Sequence, residues 1–181
     1  GKSTLLRLIG GIYAPDQGTV RTRGRISLLS GVGVGFNRDL TGRENMMLTG
    51  SIFGFNQQEM LDMSQSIIDF SGIEKFIDEP LRTYSSGMRA RLGFSIVSHM
   101  DPDILLLDEV MTVGDYDFRK RSRTRIEEMV RGAATVVIVS HSPYLIRQLC
   151  DRAYYLEDGT FKTNGDIEET ISQYESDRGE D

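Results

Sequence analysis

Ile104-Leu105-Leu106-Leu107 is an unbroken apolar run set between the turn Asp101-Pro102-Asp103 and two acids, Asp108 and Glu109. A strand without alternation has no polar face, so it must be buried on both sides, and an open sheet achieves that with helices above and below. The flanking segments meet this demand. Residues 85 to about 100 read as an apolar helix, 117 to 131 as a charged helix, Thr135 to Val139 as a β-branched strand, and Pro143 to Leu149 as another helix. Strands alternating with helices predict an α/β fold with a mainly parallel sheet, whose ligands bind at the carboxyl ends of the strands.

Towards the amino terminus, residues 1 to 12 read as a loop running into a helix with Leu5, Leu6, Leu8 and Ile9 as its apolar face, stopped by Pro15-Asp16-Gln17-Gly18. Thr19 to Arg23 and Arg25 to Leu29 read as short strands about Gly24, and Gly31, Gly33 and Gly35 as a loop. Thr41-Gly42-Arg43-Glu44 matches a capping box, in which a threonine accepts N–H groups and a glutamate three residues on reaches back. Most of 41 to 80 is therefore expected to be helical, with Ile67, Ile68, Phe70, Ile73, Phe76 and Ile77 apolar and Pro80 closing a small helical subdomain. Residues 151 to 163 predict two strands turning at Asp158-Gly159, 166 to 174 a last helix, and Ser176 to Asp181 a solvated acidic tail.

Composition narrows the partners. The 181 residues, 39% hydrophobic, suit one ordinary globular domain. With 21 Lys and Arg against 27 Asp and Glu, the net charge of −6 makes nucleic acid a poor partner and confines any anion site to a local feature. No run approaches the roughly 18 to 20 apolar residues that would cross a bilayer. Cys150 is the single cysteine, so no internal disulfide forms, and with no signal-like start the composition favours a reducing cytoplasm. Following Leu145, Ile146 and Leu149, Cys150 is expected to be a small buried residue and chemically quiet.

Four segments carry phosphate chemistry. In Gly1-Lys2-Ser3-Thr4, backbone N–H groups and a helix N-terminus hold phosphates, Lys2 neutralises the outer ones and the Ser3 hydroxyl suits magnesium. The earlier glycine of such a loop would precede Gly1, so the chain reads as starting inside the motif. Asp108 suits magnesium and Glu109 can polarise an attacking water. Ser85-Ser86-Gly87 opens a helix with a hydroxyl and free N–H groups at the positive end of its dipole. His141, after the strand Val136 to Val139, could reach a γ-phosphate or orient Glu109 and the water. Each has an ordinary alternative: an exposed lysine, surface acids, a serine N-cap, a structural histidine. Their order in one chain is what favours chemistry, and His99 receives no such role.

These residues resemble an ABC-type ATPase over essentially the whole chain. On that resemblance Gly1 to Thr4 are the end of Walker A, Asp108 and Glu109 Walker B, Ser85 to Met88 the signature, Asp115 the D-loop aspartate and His141 the switch histidine. It implies a P-loop NTPase core of residues 1–40 and 101–165, an inserted helical and signature subdomain of about 41–100, and a terminal helix and tail at 166–181. It further implies ATP and Mg²⁺ as cofactors. Gly1, Lys2, Ser3, Thr4, Ser85, Ser86, Gly87 and Asp115 would face nucleotide, Ser3 and Asp108 the metal, and Glu109 and His141 would be catalytic. A second copy would bind head to tail, so that nucleotide lies between Walker A of one and the signature of the other.

Departures from the family pattern point to a branch. The usual Leu-Ser-Gly-Gly-Gln is here Tyr84-Ser85-Ser86-Gly87-Met88, and the usual Ser-Ala-Leu-Asp is Thr112-Val113-Gly114-Asp115. Both, with Gly35-Phe36-Asn37 and Leu40-Thr41-Gly42-Arg43-Glu44-Asn45, resemble exporters of lipid-linked teichoic acid, O-antigen, capsule or galactan. No clear Q-loop glutamine is present; Ser30 to Gly35 occupy its place, and Met88 cannot reproduce the hydrogen bonds of a signature glutamine. The resemblance implies a subunit held at the cytoplasmic face of the membrane by a polytopic permease. Met46, Met47, Ile52 and Phe53 could form the docking groove or belong to the core. Two other readings are a soluble ABC ATPase of translation, DNA repair or cofactor assembly, and an inactive fragment. Against the first stands the absence of a second ATPase domain or long insertion. The exported polymer is not readable from an ATPase that need not touch it.

Overall fold

A computed structural model describes residues 1–29, 35–108, 114–133 and 135–179. Glu109, Thr112, Val113 and most of the glycine loop after β1 lie outside these residues. In chain order the elements are α1 (Lys2–Ile9), β1 (Ile26–Leu29), α2 (Gly42–Ile52), α3 (Gln57–Ser71), α4 (Ser86–His99) and β2 (Ile104–Asp108). There follow α5 (Tyr116–Gly132), β3 (Thr135–Val139), α6 (Pro143–Leu149), β4 (Leu156–Glu157), β5 (Thr160–Phe161) and α7 (Ile167–Gly179). The chain forms two compact units, Gly1–Thr22 with Val137–Asp181, and Arg23–Val136.

In the second unit β1 and β2 run parallel, Ile26 opposite Ile104 and Leu29 opposite Leu107, with β2 central in the order β1-β2-β3. Leu105 and Leu106 are fully buried and Leu107 nearly so, as an apolar run without alternation requires. The register is fixed where the strands begin. Asp103 Oδ2 accepts the Arg25 N–H at 2.7 Å. A Cβ on Gly24, at φ +103°, would lie 2.4 Å from that same oxygen, so only glycine allows the approach. Thr135 then donates its N–H to Asp103 O at 3.1 Å, bringing the start of β3 alongside.

Thr19 to Arg23, expected as a strand, is irregular and exposed. Its β-branched residues favour extension, but Val20 is its one apolar side chain and is itself exposed, so pairing would bury almost nothing. Residues 41 to 80 are mainly helical as expected. Thr41 with Glu44 and Asn56 with Glu59 complete reciprocal capping boxes at the starts of α2 and α3. Both glutamates are held below the usual carboxylate range, chiefly by accepting the backbone N–H of their own N-cap residue.

Helices α2, α3 and α4 share a core built on Met46, Met60, Ile67, Leu81, Leu92 and Ile96. Burying each such side chain contributes about 1.5–3 kcal/mol, so this block carries a substantial core of its own. A Cβ on Gly50 would sit 2.2 Å from Met60 Sδ, which shows how closely α2 and α3 approach. The two readings of the methionine-rich stretch now separate. Met46 is fully buried and Met47 and Phe53 pack on the core, whereas Ile52 is 62% exposed. Phe70, Phe94, Phe118 and His99 make a second cluster with ring centroids 5.3–6.1 Å apart. His99 Nδ1 lies 2.8 Å from Ser95 O, and burial lowers its pKa, in keeping with a purely structural residue.

The first unit contains α1, α6, the β4–β5 hairpin and α7. The hairpin turns through Asp158 and Gly159, both at positive φ as a tight two-residue turn requires. Helix α7 runs to Gly179, so Ser176 to Gly179 are helical instead of belonging to the expected tail. Asp166 accepts the Glu169 N–H, Ile171 is buried, and Gln173 bonds Asp177 one turn later, which carries the helix past its last apolar residues. Cys150, at the end of α6, is partly rather than fully buried, and burial pushes its thiol pKa up, which makes it a poor nucleophile.

Candidate functional site

In the first unit α1 begins at Lys2 with Gly1 as N-cap, no side chain capping it and no acid in its first turn. Its leading N–H groups and dipole are therefore not neutralised by a cap or an acid of the helix's own first turn. Leu6 is buried and anchors the helix, and a Cβ on Gly1 would lie 3.5 Å from Leu156 Cδ2, so hairpin strand β4 backs the loop. Ser3 and Thr4 are exposed; Lys2 is half-buried and has no ion-pair partner among the described residues.

His141 follows β3 and precedes α6. Ser140 Oγ accepts the Ser142 N–H at 3.0 Å, Ser142 caps α6, and Pro143 starts it, so the backbone on either side of the imidazole is constrained. The ring is exposed, and its Nδ1 lies 2.7 Å from the Tyr174 hydroxyl of α7. Nothing in the sequence around His141 signals that partner.

In the second unit the segment Ser85 to Met88 opens α4. Ser85 is the N-cap and its Oγ accepts the Met88 N–H at 3.1 Å, the ordinary serine-cap geometry, while Ser86 and Gly87 stay exposed. The platform behind them is rigid. Tyr84 is buried, its hydroxyl donates to Phe76 O, and burial followed by the charges of Asp78 and Glu79 pushes its pKa up to about 12. Gly42 leaves room for that hydroxyl, and Arg89 donates to Tyr84 O.

Asp115 is brought to the same helix by a residue that sequence reasoning missed. Arg91 Nε donates to Ser71 O at the end of α3 at 2.8 Å, and its guanidinium lies over the Phe118 ring at 5.2 Å. Its Nη1 reaches Asp115 Oδ2 at 3.5 Å, while Asp115 Oδ1 caps α5 by accepting the Phe118 N–H at 2.9 Å. One arginine on α4 thus meets both the end of α3 and Asp115, the N-cap of α5. Asp108 ends β2, half-buried.

Asn45 was also missed as a structural lock. It is fully buried, accepts the Asn37 N–H at 2.7 Å, and donates to Asn37 O, Leu40 O and Thr41 O at 2.9, 3.2 and 2.8 Å. It organises the segment that leads from the glycine loop into α2. A polar residue among apolar helix positions was the available signal.

The sequence profile of the ABC transporter family matches residues 1–112. The chain belongs to the ABC transporter family. It is 43% identical over 174 residues to the O-antigen export system ATP-binding protein RfbB of Myxococcus xanthus, covering 96% of this chain and 40% of that protein. Identity is 41% with the RfbB protein of Klebsiella pneumoniae, covering 96% of this chain and 71% of that one. With the teichoic acids export ATP-binding protein TagH of Bacillus anthracis it is 40%, covering 97% and 32%. The chain therefore spans less than half the length of two of these three relatives. All three names fall in the branch that the signature and D-loop variants resemble.

The fold agrees. A solved ATP-binding subunit of an ABC transporter superposes with a TM-score of 0.77 at 19% identity, covering 97% of this chain and 78% of that one. A dimeric, post-hydrolysis ATP-binding cassette bound to ADP and Pi superposes with a TM-score of 0.68 at 20% identity, covering 90% and 79%. The ABC-type α/β fold is thereby shown. Among the described residues no helix is long and apolar enough to cross a membrane.

Proposed function

We propose that this chain is the ATP-binding and ATP-hydrolysing subunit of an ABC exporter that moves a lipid-linked polysaccharide across the cytoplasmic membrane. The observation that carries this reading is that the chain is 41% identical to an O-antigen export subunit over most of that subunit's length. The core would comprise residues 1–40 and 101–165, the helical subdomain about 41–100, and the terminal segment 166–181.

The residues fit ATP and Mg²⁺. Magnesium takes oxygen ligands and keeps several waters, which a hydroxyl, one carboxylate, phosphate and water can supply. Ser3 and Asp108 would hold Mg²⁺, whose bound charge would offset that building on the phosphates. Lys2 and the first N–H groups of α1, with Gly1 and Thr4, would hold the phosphates. Ser85, Ser86 and Gly87 would present the opposing N–H groups from a second copy, with Asp115 beside them. Glu109 would polarise the attacking water and His141 would contact the γ-phosphate.

In this account the helical subdomain docks on cytoplasmic segments of a polytopic permease, and the chain sits at the cytoplasmic face without entering the bilayer. Affinity purification of the full-length subunit from membranes tests this. A polytopic membrane protein should co-purify and raise ATP hydrolysis. Stimulation by RNA or DNA with no membrane partner would favour a soluble ABC ATPase and sink the proposal.

A further inference from the structure

We propose that Tyr174 of α7 is a positioning residue for His141, its hydroxyl donating to Nδ1 and so leaving Nε2 as the N–H that faces the γ-phosphate. This rests on the assignment of His141 as the switch histidine. A neutral imidazole carries one proton, and a hydroxyl at one nitrogen can donate to it or accept from it, so the group that the other nitrogen meets decides which nitrogen bears the proton. The 2.7 Å contact occupies Nδ1. If Nδ1–H donated to the phenol oxygen, Nε2 would turn a lone pair towards an anionic phosphate. With the phenol as donor, Nε2–H can donate to it instead.

The hydroxyl is held in place by the rest of the unit. Arg147 of α6 makes paired 2.9 Å hydrogen bonds to both carboxylate oxygens of Glu168 on α7, fixing α7 against the helix that begins just after His141. Ile171 is buried, and Thr170 Oγ1 donates to Ala153 O at 3.1 Å. The Tyr155 ring meets the Tyr174 ring edge-on at 5.6 Å, so the phenol ring is itself packed. An exposed imidazole thus receives its orientation from a helix well removed from it in sequence. The reach of the hydrolytic machinery accordingly extends into the terminal helix.

The chain has two histidines, and the other supplies an internal control. His99 Nδ1 faces a carbonyl, which can only accept, so neutral His99 must carry its proton on Nδ1. Long-range ¹⁵N–¹H NMR of the 181-residue chain at about pH 8.5, well above the ordinary imidazole pKa, should show the Nδ1–H pattern for His99 and the Nε2–H pattern for His141. Tyr174→Phe keeps the ring packing and removes the donor. It should turn His141 into a tautomer mixture and leave His99 unchanged. In the full-length subunit Tyr174→Phe should lower kcat about 10-fold with KM for ATP nearly constant, the size expected when one positioned hydrogen bond is lost. Added to His141→Ala, it should cost nothing further.

An Nδ1–H pattern for His141, no tautomer change in Tyr174→Phe, or additive kinetic losses would overturn the proposal. If the tautomer changes as expected but His141→Ala hydrolyses ATP normally, the switch assignment fails, and with it the kinetic half of the proposal. Tyr174 would still control the ring.

Discussion

Asn45→Asp changes one NH₂ into an oxygen without changing the shape of the side chain, at a fully buried site where the difference is decisive. The amide Oδ1 accepts from Asn37 N, and Nδ2 is shared among three carbonyls 2.8–3.2 Å away. An aspartate keeps the first bond and turns an acceptor towards all three carbonyls. Losing two donated protons costs about 1 kcal/mol each, and leaving a buried charge against carbonyl oxygens adds roughly 1–3 more, for a total of about 3–5 kcal/mol near neutral pH. That is a large share of the roughly 5–15 kcal/mol by which a domain is stable. The sign of the pH dependence follows. Burial and repulsion from the carbonyls raise the introduced carboxyl above its unfolded value of about 3.9, and its neutral form can donate one hydrogen bond. The penalty relative to wild type is therefore smallest below about pH 4 and grows as pH rises through the raised folded value. Urea unfolding of both chains at about pH 5 and 8 measures the difference. A penalty under about 1 kcal/mol near neutrality, or one that does not shrink on acidification, would refute the reasoning.

Gly50→Ala gains about 1 kcal/mol of helix propensity but drives a methyl group into Met60 Sδ, so a net loss of about 0.5–2 kcal/mol is expected in urea unfolding; stabilisation would show that α2 and α3 separate freely. Glu44 and Glu59 are held below the ordinary carboxylate range by their capping bonds, so their contribution is present above the unfolded pKa and lost as pH falls through the folded one. The double variant Glu44→Gln and Glu59→Gln should flatten the loss of stability as pH falls below the ordinary glutamate pKa of about 4.3, and an unchanged acid limb would contradict the capping assignment. Because burial raises the Cys150 thiol, its alkylation by iodoacetamide in the folded chain should be slower than in the urea-unfolded chain at the same pH, and equal rates would count against that burial.

What the sequence made legible was contiguous chemistry. The run Ile104 to Leu107 dictates a strand buried on both faces because no residue in it tolerates water, and Thr41 announces a helix start because its partner Glu44 lies three residues on. Ser85 was visible as an N-cap residue for the same reason, whereas the cap that Asp115 gives α5 emerged only from the structure. Arg91, Asn45 and Tyr174 were not, since their roles depend on groups brought together by folding: Ser71 and Asp115, Asn37 and Leu40, His141. Thr19 to Arg23 misled because β-branching is a local preference, while a strand needs a neighbour and something to bury. The length of α7 was underestimated because polar i,i+4 pairs extend a helix beyond its apolar residues.

The most direct test of the central claim is Mg²⁺-dependent ATP hydrolysis by the full-length subunit as a function of protein concentration, beside Glu109→Gln and Lys2→Ala. A site completed by the signature helix of a second copy predicts a rate per protomer that rises with concentration and collapses in both variants, with Glu109→Gln still binding ATP and dimerising. A rate per protomer independent of concentration, or a fully active Glu109→Gln, would contradict it.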